Sequence, residues 1–168
     1  TGPTALPDPP GVRVVRVVSA VEMARAVKRA YPSCDAMIGS AAVSDYRPER
    51  TVDDKIKKGP ARMALQLVRN PDILAACGKA KGRRVLVGFA LEVRCGLENA
   101  ADKLRRKNLD LVVLNSPESF ASRDIGPTFL TPGGGAEPLP RMTKARLSDR
   151  IVKFIEGARR PAAAKPAC

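Results

Sequence analysis

"GLENAADKLRRKNLDLVVLN", residues 96–115, is the stretch on which the fold turns. Residues 96–108 are dominated by Leu, Ala, Glu, Lys and Arg, which lose little on entering a helix. Leu97, Ala100 and Leu104 would line one face of that helix. Residues 109–115, "LDLVVLN", then run almost wholly apolar, the pattern of a strand covered on both faces. Upstream, "RVLVGFAL" from Arg84 and "AMIGSAAV" from Ala36 have the same character, and "VRVVRVVS" at 12–19 is a β-branched run bounded by Pro and Gly. Ser19 and Glu22 have the spacing of a capping box, and Val21, Ala24, Val27 and Tyr31 recur on one helical face behind it. "MALQLV" at 63–68 alternates weakly and reads as a further strand, followed by a short helix that Asn70 caps and Pro71 starts.

Strand and helix therefore alternate, which predicts a doubly wound α/β fold: a mainly parallel sheet with helices on both faces. A chain of 168 residues that is 44% apolar can bury one core, so a single domain is expected over 1–158. Residues 116–142, rich in Pro, Gly and Ser, read as a loop with a short hairpin made by "PTFL" and "EPLPR". A last helix is expected from near Thr143, with Leu147, Ile151, Phe154 and Ile155 buried, and 159–168 reads as a disordered basic tail.

Thirty Lys and Arg against 17 Asp and Glu give a net charge of +13, so an anionic partner is expected: nucleic acid, a membrane surface or a phosphorylated small molecule. Only two Tyr and four Phe occur, and only Tyr46 lies beside basic sequence. Single-stranded nucleic acid is held on aromatic platforms, which ranks it below a small phosphorylated ligand. The absence of His excludes a Ser-His-Asp triad, a Cys-His pair and any histidine-ligated metal built from this chain alone. Cys34, Cys77, Cys95 and Cys168 are too widely spaced for a C-x-x-C site and read as reduced packing thiols of a cytoplasmic protein. No run approaches the roughly 20 apolar residues of a membrane span, and the lead "TGPTALPDPPGV" resembles no export signal.

In open parallel sheets ligands collect beyond the carboxyl ends of the strands. Gly39, Ser40 and Ala41 fall at one such end, where small side chains admit either a ligand to the backbone or a tightly packed helix. Asp45 follows, suited to a ribose hydroxyl or a metal, or to a turn paired with Arg47. Lys55, Lys57 and Lys58 form a basic loop, and Ile56 among them implies that one side is anchored on apolar surface. "NPDIL" opens a helix whose free N–H groups can meet ligand oxygens, although Asp72 also complements the helix dipole. Lys103 and Lys107, four residues apart, share a helical face on which an anion would relieve their repulsion. Together these features describe a nucleoside triphosphate pocket that has neither G-x-x-x-x-G-K-[ST] nor G-x-G-x-x-G.

"AAVSDYRP", "KIKKG", "LVRNPDIL", "VGFALE" and "KLRRKNLDLVVLN", in this order, resemble the phosphopantothenoylcysteine synthetase (phosphopantothenate-cysteine ligase) family of bacterial coenzyme A biosynthesis. The resemblance implies a Rossmann-like sheet, a homodimer, and CTP used with Mg2+. The carboxylate of 4′-phosphopantothenate would attack CTP to give an acyl-cytidylate, which the amine of cysteine resolves. It implies that Gly39, Ser40 and Ala41 line the nucleotide, that Asp45 holds its sugar or the metal side, and that Lys55 is the catalytic lysine at the reacting phosphate. Pro71, Asp72, Ile73 and Leu74 would face the cytidine with Phe89, Lys103 and Lys107 would grip the triphosphate, and the lysine-rich loop would act as a lid. The family's opening strand, Gly-rich turn and Asn-x-Ser-Ser-Gly segment have no counterpart in these residues, so nucleotide contacts without ligation are expected of the chain alone. Other readings are a non-catalytic nucleotide-binding scaffold of that family and a basic nucleic-acid-binding domain. A flavin-dependent phosphopantothenoylcysteine decarboxylase is the partner implied.

Overall fold

The computed structural model describes residues 1–91, 95–116 and 124–159, and the chain divides into two compact units. The larger holds Ala30–Ser40 and the chain from Leu74 onward; the smaller holds Thr1–Arg29 and Ala41–Ile73.

A five-stranded sheet organises the larger unit, in the order β1 (Ala36–Gly39), β4 (Val85–Leu91), β5 (Leu111–Asn115), β7 (Thr128–Leu130) and β8 (Ala136–Pro138). The first three strands are parallel, with Gly39 opposite Gly88 and Val87 opposite Leu111. The last two are antiparallel and form the expected hairpin. Because side chains alternate along a strand, β4 and β5 present two apolar faces. Val85, Val87, Leu111 and Val113 pack with Phe129 and with Leu147 and Ile151 of α4 (Lys144–Arg159). Each such buried Val or Leu contributes about 2 kcal/mol by leaving water. On the other face, a Cβ at Gly88 would stand 2.9 Å from Leu74 of α2 (Ile73–Lys79) and 2.8 Å from Leu109, which follows α3 (Gly96–Arg106). Helices thus cover both faces, as a doubly wound sheet requires. Thr143 caps α4 by accepting the Arg146 amide at 3.3 Å, where the sequence places the start.

The junction of α3 and β5 is fixed by local chemistry. Asn108 takes the left-handed conformation (φ 53), its amide donates to Arg105, and the Leu109 amide donates to Leu104. These bonds close a Schellman turn, and buried Leu104 and Leu109 supply its apolar contact. Asp110 then ties three elements together: one carboxylate oxygen meets Lys81 at 2.7 Å and the other accepts the Leu86 amide at 2.8 Å.

In the smaller unit Ser19 accepts the Glu22 amide, and the Glu22 carboxylate accepts the Val18 amide, so the capping box at the start of α1 (Ala20–Ala30) forms. Three expectations need correction. Residues 12–19 are not a strand: before Ser19 the only main-chain bonds there run between Thr1 and residues 15 and 17, and Val12, Val15 and Val18 are exposed. A β-branched run becomes a strand only when another strand pairs with it, and none among the described residues does. "MALQLV" yields only the end of a strand, β3 (Leu67–Arg69), which pairs antiparallel with β2 (Tyr46–Pro48). Finally, the helix after Asn70 begins at Ile73, because the Asn70 side chain is committed elsewhere: it donates to the Ser44 carbonyl and accepts from Arg47. The tail assigned to 159–168 lies outside the described residues apart from Arg159, the last residue of α4, which pairs with Asp35 at 3.0 Å.

Candidate nucleotide site

At the carboxyl ends of β1 and β4 the larger unit gathers Gly39, Ser40, Leu74, Phe89 and Lys103 of the expected residues. Gly39 lies at the end of β1 opposite Gly88, and a Cβ there would meet Leu74 at 3.0 Å. Small residues at these two positions therefore admit the first turn of α2, which is the packing reading of the glycine; Ser40 follows and is exposed. Lys103, half-buried on α3, donates from its ammonium to the Phe89 carbonyl at 2.6 Å. That bond holds a cation near the carboxyl end of β4. The Phe89 ring points the other way and packs against the core beneath α4, so its main-chain oxygen rather than its ring meets Lys103. Lys107 caps the carboxyl end of α3, and its carbonyl fills the space above Gly78. A feature missed in the sequence is Asn115 at the end of β5, whose Oδ1 is buried with no hydrogen-bond partner among the described residues. The signal available was its place as the single polar residue closing an apolar strand.

The smaller unit holds the other expected residues. Asp45 is exposed, and its carbonyl accepts the Asn70 amide at 2.8 Å, which joins the segment before β2 to the segment after β3. Arg47 reaches the Arg69 carbonyl at 2.8 Å and the Asn70 side chain at 3.2 Å, which pins the approach to Pro71, Asp72 and Ile73. Arg47 is thus bonded to Asn70 rather than paired with Asp45. Ala41 is exposed at the other end of this segment. Between Glu49 and Gln66, joined by one main-chain bond of 3.0 Å, residues 51–62 are exposed throughout and make no backbone hydrogen bond. Lys55, Lys57 and Lys58 lie there, and Ile56 is 61% exposed, so the expected apolar anchor is not present in this conformation. Its neighbours in the loop are themselves exposed and offer Ile56 no surface to pack on.

No cluster of three carboxylates or thiols able to hold a metal occurs among the described residues. The three described cysteines are free. Burial pushes the Cys77 thiol pKa up, which makes it an inert packing group, whereas Cys95 is exposed and does not fit that reading. No helix of the described residues is long and apolar enough to cross a membrane.

The sheet and the helices on its two faces define a Rossmann-like α/β domain. The chain belongs to the family described as the DNA/pantothenate metabolism flavoprotein C-terminal domain, which it matches over residues 1–158. It is 36% identical over 160 residues to the coenzyme A biosynthesis bifunctional protein CoaBC of Bacillus subtilis, covering 92% of this chain and 39% of that protein. It is 46% identical over 160 residues to a cysteine/cysteine sulfinic acid decarboxylase of an unknown prokaryotic organism, covering 92% of this chain and 45% of that one. The crystal structure of the C-terminal domain of a CoaBC protein superposes with a TM-score of 0.78 at 35% identity, over 93% of this chain and 70% of the other. The chain thus spans roughly two fifths of the curated relatives it matches.

Proposed function

We propose that this domain carries the nucleotide-activation chemistry of phosphopantothenoylcysteine synthesis. The carboxylate of 4′-phosphopantothenate attacks the α-phosphate of CTP, forming an acyl-cytidylate and releasing pyrophosphate. The amine of cysteine then displaces CMP. The family match over residues 1–158 carries this reading. The decarboxylase name belongs to a protein of which this chain covers less than half, and the described residues supply no separate support for that chemistry.

In the larger unit, Gly39 and Ser40 offer main chain to the nucleotide, Leu74 an apolar contact, and Lys103 and Lys107 bind the triphosphate. Phe89 acts through the carbonyl that positions Lys103. An ammonium about 4 Å from a phosphate oxygen is attracted by roughly 4 kcal/mol at an effective dielectric of 20 but only about 1 in water. Half-buried Lys103 stands nearer the first case. Exposed Lys55 stands nearer the second, and becomes the catalytic lysine only when its loop closes over bound CTP and excludes water. In the smaller unit, Ala41, Asp45, Pro71, Asp72 and Ile73 take the nucleoside.

Mg2+ would enter held by oxygens of the triphosphate, with Asp45 the candidate carboxylate of this chain. One or two carboxylates plus phosphates are the usual set for this ion. When bound, it neutralises charge on the leaving pyrophosphate. The working form is a cytoplasmic homodimer served by a flavin-dependent phosphopantothenoylcysteine decarboxylase, separate or fused.

The deciding experiment compares this chain with one extended upstream by the corresponding segment of its Bacillus subtilis relative. CTP binds both saturably, and pyrophosphate is released from CTP and 4′-phosphopantothenate only by the longer chain. Comparable release by both refutes the dependence on the upstream segment. Binding of oligonucleotides with no preference for CTP refutes the activation chemistry itself and favours a nucleic-acid-binding domain.

A further inference from the structure

The larger unit carries a second concentration of positive charge, built on β9 (Met142–Thr143), which pairs antiparallel with β6 (Asp124–Ile125), and on α4, elements that supply none of the residues at the strand-end rim. A groove of about 310 Å³ lies between them, lined among others by Arg141, Met142, Arg146, Asp149, Arg150 and Lys153. Arg146, Arg150 and Lys153 are spaced four and three residues apart, so the helix presents all three on one face. Two of the four cations are already engaged: Arg150 meets Glu137 at 3.1 Å, and Arg141 donates to the Asp124 carbonyl at 3.1 Å. Among the described residues, no carboxylate lies within ion-pair distance of Arg146 or Lys153, although Asp149 lines the same groove.

The geometry points to a binding site for a small phosphorylated molecule, its phosphates held by Arg146 and Lys153 and its less polar portion against Met142. Three observations favour this class. The volume sits at the lower end of pockets that take small ligands. Guanidinium and ammonium groups are the usual partners of phosphate oxygens, and Arg146 and Lys153 form no ion pair with Asp149, the one carboxylate among the described lining residues. No aromatic side chain lines the groove, so a single strand of nucleic acid would find no stacking platform. Unlike the nucleotide reading above, this site depends on no residue of the strand-end rim.

Met142 makes the proposal measurable, because the chain has only four methionines and each methyl group can be followed separately by carbon-13 labelling and NMR. Inorganic pyrophosphate, titrated at about 0.15 M salt, is expected to shift the Met142 methyl saturably. Removing one charge-assisted hydrogen bond weakens binding by about tenfold, so Arg146→Gln with Lys153→Gln raises the midpoint by at least that factor. Asp149→Asn lowers it, and Lys103→Ala leaves it unchanged. The two Gln variants are compared only at equal unfolding midpoints; should they unfold, the tightening by Asp149→Asn decides alone. A Met142 shift that never saturates, that ignores these substitutions, or that disappears with Lys103→Ala overturns the site. Tighter binding of a single-stranded oligonucleotide at Met142 overturns the ligand class.

Discussion

Gly78 cannot become alanine without moving main chain. A Cβ at that position would lie 2.0 Å from the Lys107 carbonyl oxygen, and the Asn108 side chain donates to the Gly78 carbonyl at 3.0 Å. The end of α3 is therefore seated on the end of α2, where only a hydrogen atom fits. Gly78→Ala is expected to cost about 3 kcal/mol, read as a lower urea midpoint at unchanged slope. A loss below about 1 kcal/mol would mean that the two helix ends separate easily. Asn115 makes the opposite case. Among the described residues its Oδ1 finds no partner, and a buried oxygen left unpaired costs stability. Asn115→Leu is expected to raise stability by about 1 kcal/mol while weakening CTP binding, and a variant that loses both shows that the oxygen has an internal role.

Elements formed where their signals were local. The capping box of α1 could be read directly, because Ser19 and Glu22 satisfy amides within four residues of themselves. Ser19→Ala is expected to cost about 1 kcal/mol. The Val18 amide, with the Ser19 contacts, holds the Glu22 carboxyl below its ordinary value of 4.5. A carboxyl with a lowered folded-state pKa adds stability that is present above 4.5 and is lost as pH falls through the lowered value. Glu22→Gln should therefore be less stable than the natural chain at neutral pH, with the difference shrinking as pH falls below 4.5, as urea midpoints on either side of that value would show. The buried runs of β4 and β5 were legible for the same local reason, whereas the Schellman turn at Asn108 went unread. The run at 12–19 misled because pairing is not local: valines declare an affinity for a sheet without naming the neighbouring strand. β2 passed unread since Tyr46–Pro48 has neither alternation nor apolar length, and it exists only because β3 lies against it. Among site residues, the chemistry of Lys103 could be anticipated, but its partner, a main-chain oxygen, leaves no mark in a sequence.

At the scale of the whole molecule, order is unevenly distributed, and the exposed segment carries the residue to which the chemistry assigns most. Residues 51–62 make no backbone hydrogen bond and bury nothing, while Leu86, Val87, Leu111, Val112 and Val113 are wholly buried. Segments of the first kind open at almost no free-energy cost, and central strands open only with the whole unit. Trypsin is therefore expected to cut first after Lys55, Lys57, Lys58 or Arg62, well before the lysines and arginines of α3, as mass spectrometry of early digests would show. If Lys55 reaches its phosphate by closure of this loop, CTP with Mg2+ should slow these cuts, and Lys55→Ala should abolish the protection at the remaining sites while leaving CTP bound through Lys103. Protection that persists in Lys55→Ala would mean that the loop closes without its lysine, and the catalytic assignment would pass to another group. Cuts unaffected by saturating CTP would leave the loop a solvated basic turn and remove the lid from the mechanism.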